Sequence, residues 1–284
     1  MNRYLAITPA KDEEKYLPSL IDSLVNQSVT PDRWIIIDDG SRDASAQIID
    51  QAARRYPWIE PHHLAPRLRR EEGGESVIMQ FLPRQTWEQY DYIFRLDADI
   101  SFGPELVEGL MAEFVRQPSL GIAGPTLYEP DGEEWHEVLA PGFHARGAAK
   151  LYSATCFGAI GGLENGAGWD TLDEVHAMML GFTSRSFRNL RAFHHRPQGG
   201  AVGRCKSRLF SGRCAYRVGY SPLFMIARAV WRTFERPYVV GGALLLCGYI
   251  QGYWKTTRIS SPELVRFVRR QQMRRLLGME SRWR

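Results

Sequence analysis

Two aspartates, Asp97 and Asp99, directly follow the apolar stretch 92–96, with a single alanine between them. Along an extended chain, residues i and i+2 point to the same side and lie about 6.5 Å apart. Carboxylates held that close repel each other unless a positive charge lies between them, and divalent cations such as Mg²⁺ bind oxygen ligands of this kind. The spacing therefore indicates a metal site, although a solvated Asp-Ala-Asp turn would have the same sequence.

The elements that would position these carboxylates follow from the hydrophobic pattern. Apolar runs alternate with stretches whose apolar residues recur at i, i+3, i+4 and i+7, the spacing of an amphipathic helix. This alternation predicts an α/β fold, with an open, mostly parallel sheet flanked by helices. The predicted strands are 3–8, 34–38, 58–64, 92–96 and 120–128, and the predicted helices are 17–24, 48–52, 76–90 (broken near Pro83) and 104–114.

A second acidic pair, Asp38 and Asp39, ends the predicted strand 34–38. Ligands of open α/β sheets bind beyond the carboxyl ends of the strands. We therefore expect both acidic pairs to line one crevice. Asp39-Gly40-Ser41 is also ordinary turn chemistry, so this second pair alone is not decisive.

Charge is distributed unevenly along the chain. Residues 1–203 contain 19 Lys and Arg against 29 Asp and Glu, a net charge of −10, whereas residues 204–284 contain 17 against three, a net charge of +14. A basic tail of this kind favours an anionic partner, either nucleic acid or a membrane surface.

The cysteines and the start of the chain indicate the compartment. The four cysteines include no C-x-x-C pair, which is typical of reduced thiols in a cytosolic protein. The opening residues reach a run of charges before any long apolar core, so we expect no signal peptide.

Four motifs in register resemble glycosyltransferase family 2, the inverting nucleotide-sugar enzymes with the GT-A fold. They are "ITPAKDEEKYLPSLIDSLVNQS", "IIIDDGSRDAS", "YIFRLDADISFGPE" and "GGLENGAGWDTLDEVHAMMLGF", which together span roughly residues 4–200.

The resemblance implies a binding site for a nucleoside-diphosphate sugar. Asp97 would approach the ribose or a metal ion, and Asp99 would hold Mg²⁺ or Mn²⁺ on the diphosphate. Lys11 and Asp12 stand where the family often has an aromatic residue and Asn, so the nucleotide stays open, with a UDP-sugar favoured. The residues implied to contact the nucleoside are Pro9, Ala10, Asp12, Glu13 and either Asp38 or Asp39.

Inverting transfer also needs a carboxylate that removes the proton of the acceptor hydroxyl. In "GWDTLDEVHAMML" we favour Asp173, with Glu174 second, whereas counting back from Gly181 favours Asp170. Acidic residues in a first helical turn also interact favourably with the helix dipole. Trp169 is either an acceptor platform or a core residue.

Adjacent histidines, His194 and His195, follow a predicted strand at the place where several family members supply a histidine metal ligand. Neighbouring side chains of an extended segment point to opposite sides, so only one can bind, and we slightly prefer His194. Arg196 could then face the diphosphate.

The tail contains 17 uncharged residues, 238–254, close to the lower limit for a span of about 20 residues. The preceding stretch mixes apolar side chains with arginine, which suits a helix lying in a membrane interface. We expect docking on a membrane surface; a helical lid and a true span are the alternatives.

These observations predict a metal-dependent inverting glycosyltransferase in three parts: a nucleotide-sugar half (1–103), an acceptor half (104–203) and a basic helical C-terminal region (204–284). Its acceptor would be a saccharide or lipid-linked saccharide, in surface polysaccharide or glycolipid biosynthesis. It would be cytoplasmic and peripheral on the inner face of the membrane, held by residues 204–284. The alternatives are a sugar-1-phosphate nucleotidyltransferase and a non-catalytic membrane- or nucleic-acid-binding module. No nucleic acid is expected, because the tail lacks a recognised signature.

Overall fold

The computed structural model describes residues 3–65, 74–164, 166, 168–196, 203–233 and 239–283. Strands and helices alternate through the first hundred residues, as the hydrophobic pattern predicts. These elements are β1 (Tyr4–Ala10), α1 (Leu17–Val25), β2 (Arg33–Asp38), α2 (Ser45–Arg55), β3 (Ile59–His63), α3 (Gly74–Phe81), α4 (Arg84–Trp87), β4 (Tyr92–Leu96) and β5 (Ile100–Phe102).

The second half supplies the rest of the sheet and the helix with the candidate bases. Its elements are α5 (Leu106–Arg116), β6 (Leu120–Asp131), β7 (Glu134–Glu137), β8 (Ala149–Ser153), α6 (Ala154–Ala159), α7 (Trp169–Met179) and β9 (Thr183–His194). The short strands β5, β7 and β8 were not predicted, because three to five residues carry little periodicity.

The described strands form one nine-stranded sheet in the order β3-β2-β1-β4-β8-β6-β9-β5, with β7 paired to β6. Strands β1 to β4 are mutually parallel, so the loops after them meet at one edge. Beyond β4 the pairing is mixed: β8 runs antiparallel to both β4 and β6, and β9 runs parallel to β6. The α/β class is therefore confirmed, and the parallel pairing is concentrated in the first half.

Two apolar cores cover the two faces of the sheet. Alternate residues of β1 face opposite cores. Tyr4 and Ala6 pack in the core with α1, α2 and α5, whereas Leu5 and Ile7 pack in the core with α3 and α6. This is the alternation expected of a strand buried on both faces. The loops at the sheet edge thus rest on a rigid support.

The basic tail folds into four helices, α8 (Arg204–Val218), α9 (Pro222–Arg232), α10 (Val240–Lys255) and α11 (Pro262–Leu276). They share a third core with α7, whose members include Leu172, Val175, Val218, Leu245 and Trp283. Within the described ranges, no helix is both long and apolar enough to cross a bilayer. Tyr238, the first residue of the uncharged segment, lies outside these ranges.

Helices α8 and α10 touch backbone to backbone through glycines. A Cβ atom on Gly248 would lie 2.1 Å from the carbonyl oxygen of Leu209, and one on Gly212 would lie 2.2 Å from that of Leu245. Neither position has room for a side chain, so these glycines fix the packing of the tail.

Candidate functional site

The metal-ligand candidates meet at the end of β4. One ligand atom each from Asp97, Asp99 and His194 lies within 4.8 Å of the others. The pairing of β5 with β9 sets His194 opposite Ile100 and so brings the imidazole to the acidic pair. His195 points elsewhere: its Nε2 lies 2.8 Å from the Ser101 hydroxyl, and its ring stacks on Tyr16. The preference for His194 over His195 agrees with this geometry.

Positive groups surround Asp99, which is 5% exposed. His194 Nε2 lies 3.3 Å from Asp99 Oδ1, and Arg196 Nε donates to Asp99 Oδ2 at 3.0 Å. Burial by itself would raise the pKa of Asp99, but His194 and Arg196 outweigh it and lower the pKa. Burial would likewise lower the pKa of His194, but contacts with Asp99 and Glu129 raise it to about 9. In this arrangement two cations occupy the positions that face the acidic pair.

Glu13 lies on the other side of Arg196. The guanidinium donates to Glu13 Oε1 and so bridges this carboxylate to Asp99. Glu13 Oε2 is buried and has no hydrogen-bond partner among the described residues. Burial raises the pKa of Glu13 in spite of Arg196. A buried carboxylate oxygen without a donor indicates that a cation or donor group belongs nearby.

These groups line a cavity of about 330 Å³, together with Arg95, Gly147, Trp169 and Asp170. Arg95 Nη1 lies 2.7 Å from Asp97 Oδ1, so Asp97 is also paired. Pro9 lines the same cavity, next to Glu13. The metal-ligand candidates and one candidate base therefore face a common space.

The other nucleoside residues do not line that cavity: Ala10 and Asp38 end β1 and β2, and Asp12 and Asp39 follow them. The two acidic pairs, expected to line one crevice, therefore do not share this cavity. Asp12 has a left-handed backbone (φ +55°) and accepts a hydrogen bond from the amide of Arg42 at 2.8 Å. Asp39 donates its amide to the carbonyl of Ala10 at 2.8 Å. Asp38 accepts from the amide of Ser41 at 2.9 Å, and its second oxygen lies 3.2 Å from His63 Nδ1. These contacts bind the two loops together beside the cavity.

The three candidate bases differ in whether their side chains reach the cavity. Asp170, in the first turn of α7, lines the cavity with its side chain 30% exposed. The side chains of Asp173 and Glu174 are 0% exposed and lie one turn deeper. The first choice from sequence, Asp173, therefore does not reach the cavity, because its side chain is enclosed beneath β8. Asp170, the residue favoured by counting back from Gly181, does reach it.

Contacts with Lys150 on β8 explain why Asp173 and Glu174 are enclosed whereas Asp170 reaches the cavity. Its fully buried ammonium donates to both oxygens of Asp173 at 3.0 Å, to the carbonyl of Asp170, and lies 3.2 Å from Glu174 Oε1. Tyr152, two residues along the strand, donates to Asp173 as well. Sequence reasoning missed Lys150 and Arg95, which sit opposite each other on β8 and β4. A charged residue inside an otherwise apolar strand was the available signal.

Trp169 is partly buried against the core, and both strand cations flank it. The guanidinium of Arg95 lies 4.7 Å and the Lys150 ammonium 5.4 Å from its ring centroid. Trp169 thus packs on the core and also lines the cavity.

Comparison with solved structures supports the fold. A mannosyltransferase, PcManGT from Pyrobaculum calidifontis in complex with GDP-Man and Mn²⁺, superposes with a TM-score of 0.61 at 12% identity, covering 89% of this chain and 88% of that one. S. aureus TarS 1-349 in complex with UDP-GlcNAc superposes with a TM-score of 0.55 at 14% identity, covering 97% and 80%. The fold is therefore the GT-A fold of these glycosyltransferases.

The family model described as "Glycosyl transferase family 2" matches residues 5–163, more than half of the chain. The chain belongs to glycosyl transferase family 2. This membership excludes the two alternatives from sequence, a nucleotidyltransferase and a non-catalytic binding module.

Curated relatives match a shorter part of the chain, at higher identity. Undecaprenyl-phosphate 4-deoxy-4-formamido-L-arabinose transferase of Proteus mirabilis (strain HI4320) is 31% identical over 116 residues, covering 39% of this chain and 33% of the relative. Minor teichoic acid biosynthesis protein GgaA of Bacillus subtilis (strain 168) is 28% identical over 136 residues, covering 46% and 29%. The chain thus aligns with about a third of the length of these relatives.

Proposed function

We propose that this glycosyltransferase is metal-dependent and inverting, and moves a sugar from a nucleoside-diphosphate donor to a lipid-linked saccharide. The observation that carries the proposal is the shared cavity, in which Asp97, Asp99 and His194 face the same space as Asp170. A metal-binding group for the donor and a carboxylate for the acceptor are the two requirements of a single displacement.

The donor set suits Mg²⁺ or Mn²⁺. Two carboxylates and one imidazole within 4.8 Å can converge on one ion, and carboxylate oxygens are the ligands that such hard ions prefer. A bound ion would supply charge stabilisation for the departing diphosphate. Asp97, Asp99 and His194 would hold it. Arg196 could then turn from Asp99 to the diphosphate oxygens, because a guanidinium pairs well with phosphate.

Asp170 is the base that we propose. It is the one of the three candidates whose side chain reaches the cavity, and the carbonyl of the same residue is held by Lys150. Its carboxylate would take the proton of the acceptor hydroxyl as the new glycosidic bond forms. Trp169, beside it, would support the acceptor sugar.

The donor and acceptor classes rest on comparison. One structural neighbour binds GDP-Man and another binds UDP-GlcNAc, which supports a nucleotide sugar. We retain a UDP-sugar as the first choice, with Asp38 or Asp39 as the hydrogen-bond partner of the uracil. The curated relatives carry the names of an undecaprenyl-phosphate sugar transferase and a teichoic acid protein. These names support a lipid-linked acceptor in surface polysaccharide or glycolipid biosynthesis.

We assign membrane docking to residues 204–284, and donor and acceptor binding to residues 1–103 and 104–203. The tail has a net charge of +14, and its helices expose large apolar side chains. Trp231 is 73% exposed and Trp254 is 79% exposed, with Leu223, Ile226 and Val230 exposed on α9. Basic charge combined with exposed tryptophan suits the inner, anionic face of a membrane.

The test is release of nucleoside diphosphate from a panel of nucleotide sugars, including UDP-GlcNAc and GDP-mannose, with Mn²⁺, with Mg²⁺ or with a chelator. We expect one donor to be turned over only when metal is present, and we expect Asp99→Ala to abolish that turnover. Turnover that is unaffected by the chelator would refute metal dependence. No turnover of any donor, with or without an anionic lipid extract as acceptor, would refute the proposed donor class.

A further inference from the structure

His144, in the loop between β7 and β8, lies between the proposed base and a buried carboxylate. Its Nδ1 is 2.7 Å from Glu174 Oε2, and its Nε2 is 4.0 Å from Asp170 Oδ2. The side chain is 18% exposed. Its backbone amide donates to the carbonyl of Pro141 at 2.8 Å, which fixes this part of the loop. The imidazole thus connects the edge of the cavity to the interior.

The tautomer follows from the partners of Glu174. This carboxylate is fully buried, and its other oxygen faces Lys150 at 3.2 Å and the Ser184 hydroxyl at 3.4 Å. A carboxylate paired with an ammonium is the ionised form, which only accepts hydrogen bonds, so the Nδ1 of His144 carries the proton and donates it. In the neutral imidazole, Nε2 then has the free lone pair and faces Asp170.

We propose that His144 is a positioning residue for Asp170 and the recipient of the proton that Asp170 removes. This inference rests on the proposed function. The acceptor O–H bond breaks as its oxygen bonds to the sugar C1, the bond from C1 to the diphosphate oxygen breaks, and the proton passes to Asp170. The Asp170 carboxyl then closes the 4.0 Å gap to hydrogen-bond distance and passes the proton to His144 Nε2, giving an imidazolium between Asp170 and Glu174. Its loss to solvent restores both groups for the next turnover.

The groups that face His144 come from several elements. Asp170 and Glu174 lie on α7, Lys150 on β8 faces the far side of Glu174, and Phe143 beside His144 stacks on Trp283 at 5.7 Å. The effect of a His144 substitution on turnover therefore has to be considered together with these three neighbours.

Two substitutions separate the proton-accepting role from a structural one. The amide of His144→Asn can still donate to Glu174 from the Nδ1 position but leaves nothing facing Asp170. His144→Gln places an amide near the Nε2 position, and this amide cannot accept a proton. His136, 58% exposed on β7, provides a matched control as His136→Gln.

The assay is metal-dependent nucleoside diphosphate release from the donor that the panel identifies, measured with nucleotide affinity and melting temperature. We expect His144→Asn to melt like wild type and His144→Gln to melt somewhat lower, because Glu174 then loses this donor, and we expect both variants to bind the nucleotide unchanged. Their kcat should fall about 10- to 100-fold, within the share that a positioned proton-transfer partner contributes. Either substitution should add little to Asp170→Asn, because His144 acts through Asp170. His136→Gln should match wild type.

Several results would overturn this assignment. Full activity in His144→Asn would show that the histidine only satisfies Glu174. Losses that multiply with those of Asp170→Asn would show that it acts independently of the base. A His144 variant that melts much lower but keeps wild-type kcat per folded molecule would leave only a structural role. A wild-type protein inactive on every donor would instead refute the proposed function itself.

Discussion

Lys150 Nζ lies 3.0 Å from both carboxylate oxygens of Asp173, and neither side chain is exposed. Burial raises the pKa of Asp173, and Lys150 offsets only part of that rise. Burial would lower the pKa of Lys150, but Asp173 and Glu174 raise it. The pair therefore belongs to the framework of the cavity: it joins β8 to the first turns of α7 and so positions Asp170.

We expect Asp173→Asn to lower stability rather than to remove the chemistry. Lys150 keeps Glu174 as a partner in this variant, but the amide nitrogen of the new side chain replaces one carboxylate oxygen and cannot accept from Lys150 or Tyr152. A buried polar group left without its partner costs about 1–3 kcal/mol, so urea unfolding should show a loss of this size for Asp173→Asn, with residual turnover in the fraction that folds. A variant as stable as wild type but inactive would return the role of base to Asp173.

Asp170→Asn should have the opposite outcome. Its side chain faces the cavity, so the fold and nucleotide binding should be unchanged, whereas kcat should fall about 10²–10⁴-fold, the usual contribution of a general base. Measured nucleoside diphosphate release and nucleotide affinity test this directly. Normal turnover in Asp170→Asn would refute the assignment of the base.

Metal-dependent nucleotide binding should depend on Asp99. In wild type, Mn²⁺ together with UDP or GDP should raise the melting temperature, because a ligand that binds only the folded state stabilises it. Asp99→Asn should lose this shift, and Asp22→Asn, an exposed change on α1, should keep it. Equal shifts in wild type and Asp99→Asn would remove Asp99 from the metal site.

The fold around Asp97 and Asp99 could be predicted because long apolar runs mark β1, β2 and β4. Parallel pairing of these strands then brings their carboxyl ends together. The base could not be predicted from pattern alone. Asp170 and Asp173 are three residues apart on one helix. Which of them faces the cavity depends on where β8 packs against α7, because Lys150 and Tyr152 of β8 enclose Asp173. The position of β8 is set by its antiparallel register on β4, a contact between segments more than fifty residues apart. His144 was missed for the same reason, since its partner Glu174 is 30 residues away.

Stability should depend on pH through His63, which bridges Asp38 and Asp50 at 3.2 and 3.0 Å. Burial by itself would lower the pKa of His63, but the two carboxylates raise it above 6.5. The folded protein therefore binds this proton more tightly than the unfolded chain. The resulting stabilisation is fully present below pH 6.5 and disappears as the pH rises through the folded-state pKa.

His63→Gln should therefore destabilise the protein at pH 5.5 more than at pH 8.5. The difference should stay below about 1 kcal/mol, because His63 is more than a third exposed and solvent screens its charge. Urea unfolding of wild type, His63→Gln and the control His136→Gln at both values measures it. A loss of stability in His63→Gln that is the same at both pH values, or larger at pH 8.5, would contradict the assignment.

Membrane docking should depend on both charge and inserted tryptophan. The full chain should co-sediment with anionic vesicles at low salt and only weakly with neutral ones. Salt should reduce the binding, since screening weakens attraction between exposed charges. Trp231→Ser combined with Trp254→Ser should remove the part that persists in salt, whereas Val115→Ser, 72% exposed on α5, should not. Failure of the full chain to bind anionic vesicles at low salt would make the tail a lid alone.

Helix α7 contributes both to the cavity and to the core of the C-terminal helices. Its first turn carries Asp170, and its Leu172 and Val175 lie in the apolar core formed with the C-terminal helices. Gly212 and Gly248 pack α8 directly against α10, so the helix that carries the proposed base rests on a closely packed tail. On a membrane to which the tail is docked, Asp170 would stand at a set height above the lipid headgroups. The enzyme would then select its acceptor by length as well as by sugar identity. A hydroxyl too close to its lipid anchor, or too far from it, would not reach Asp170.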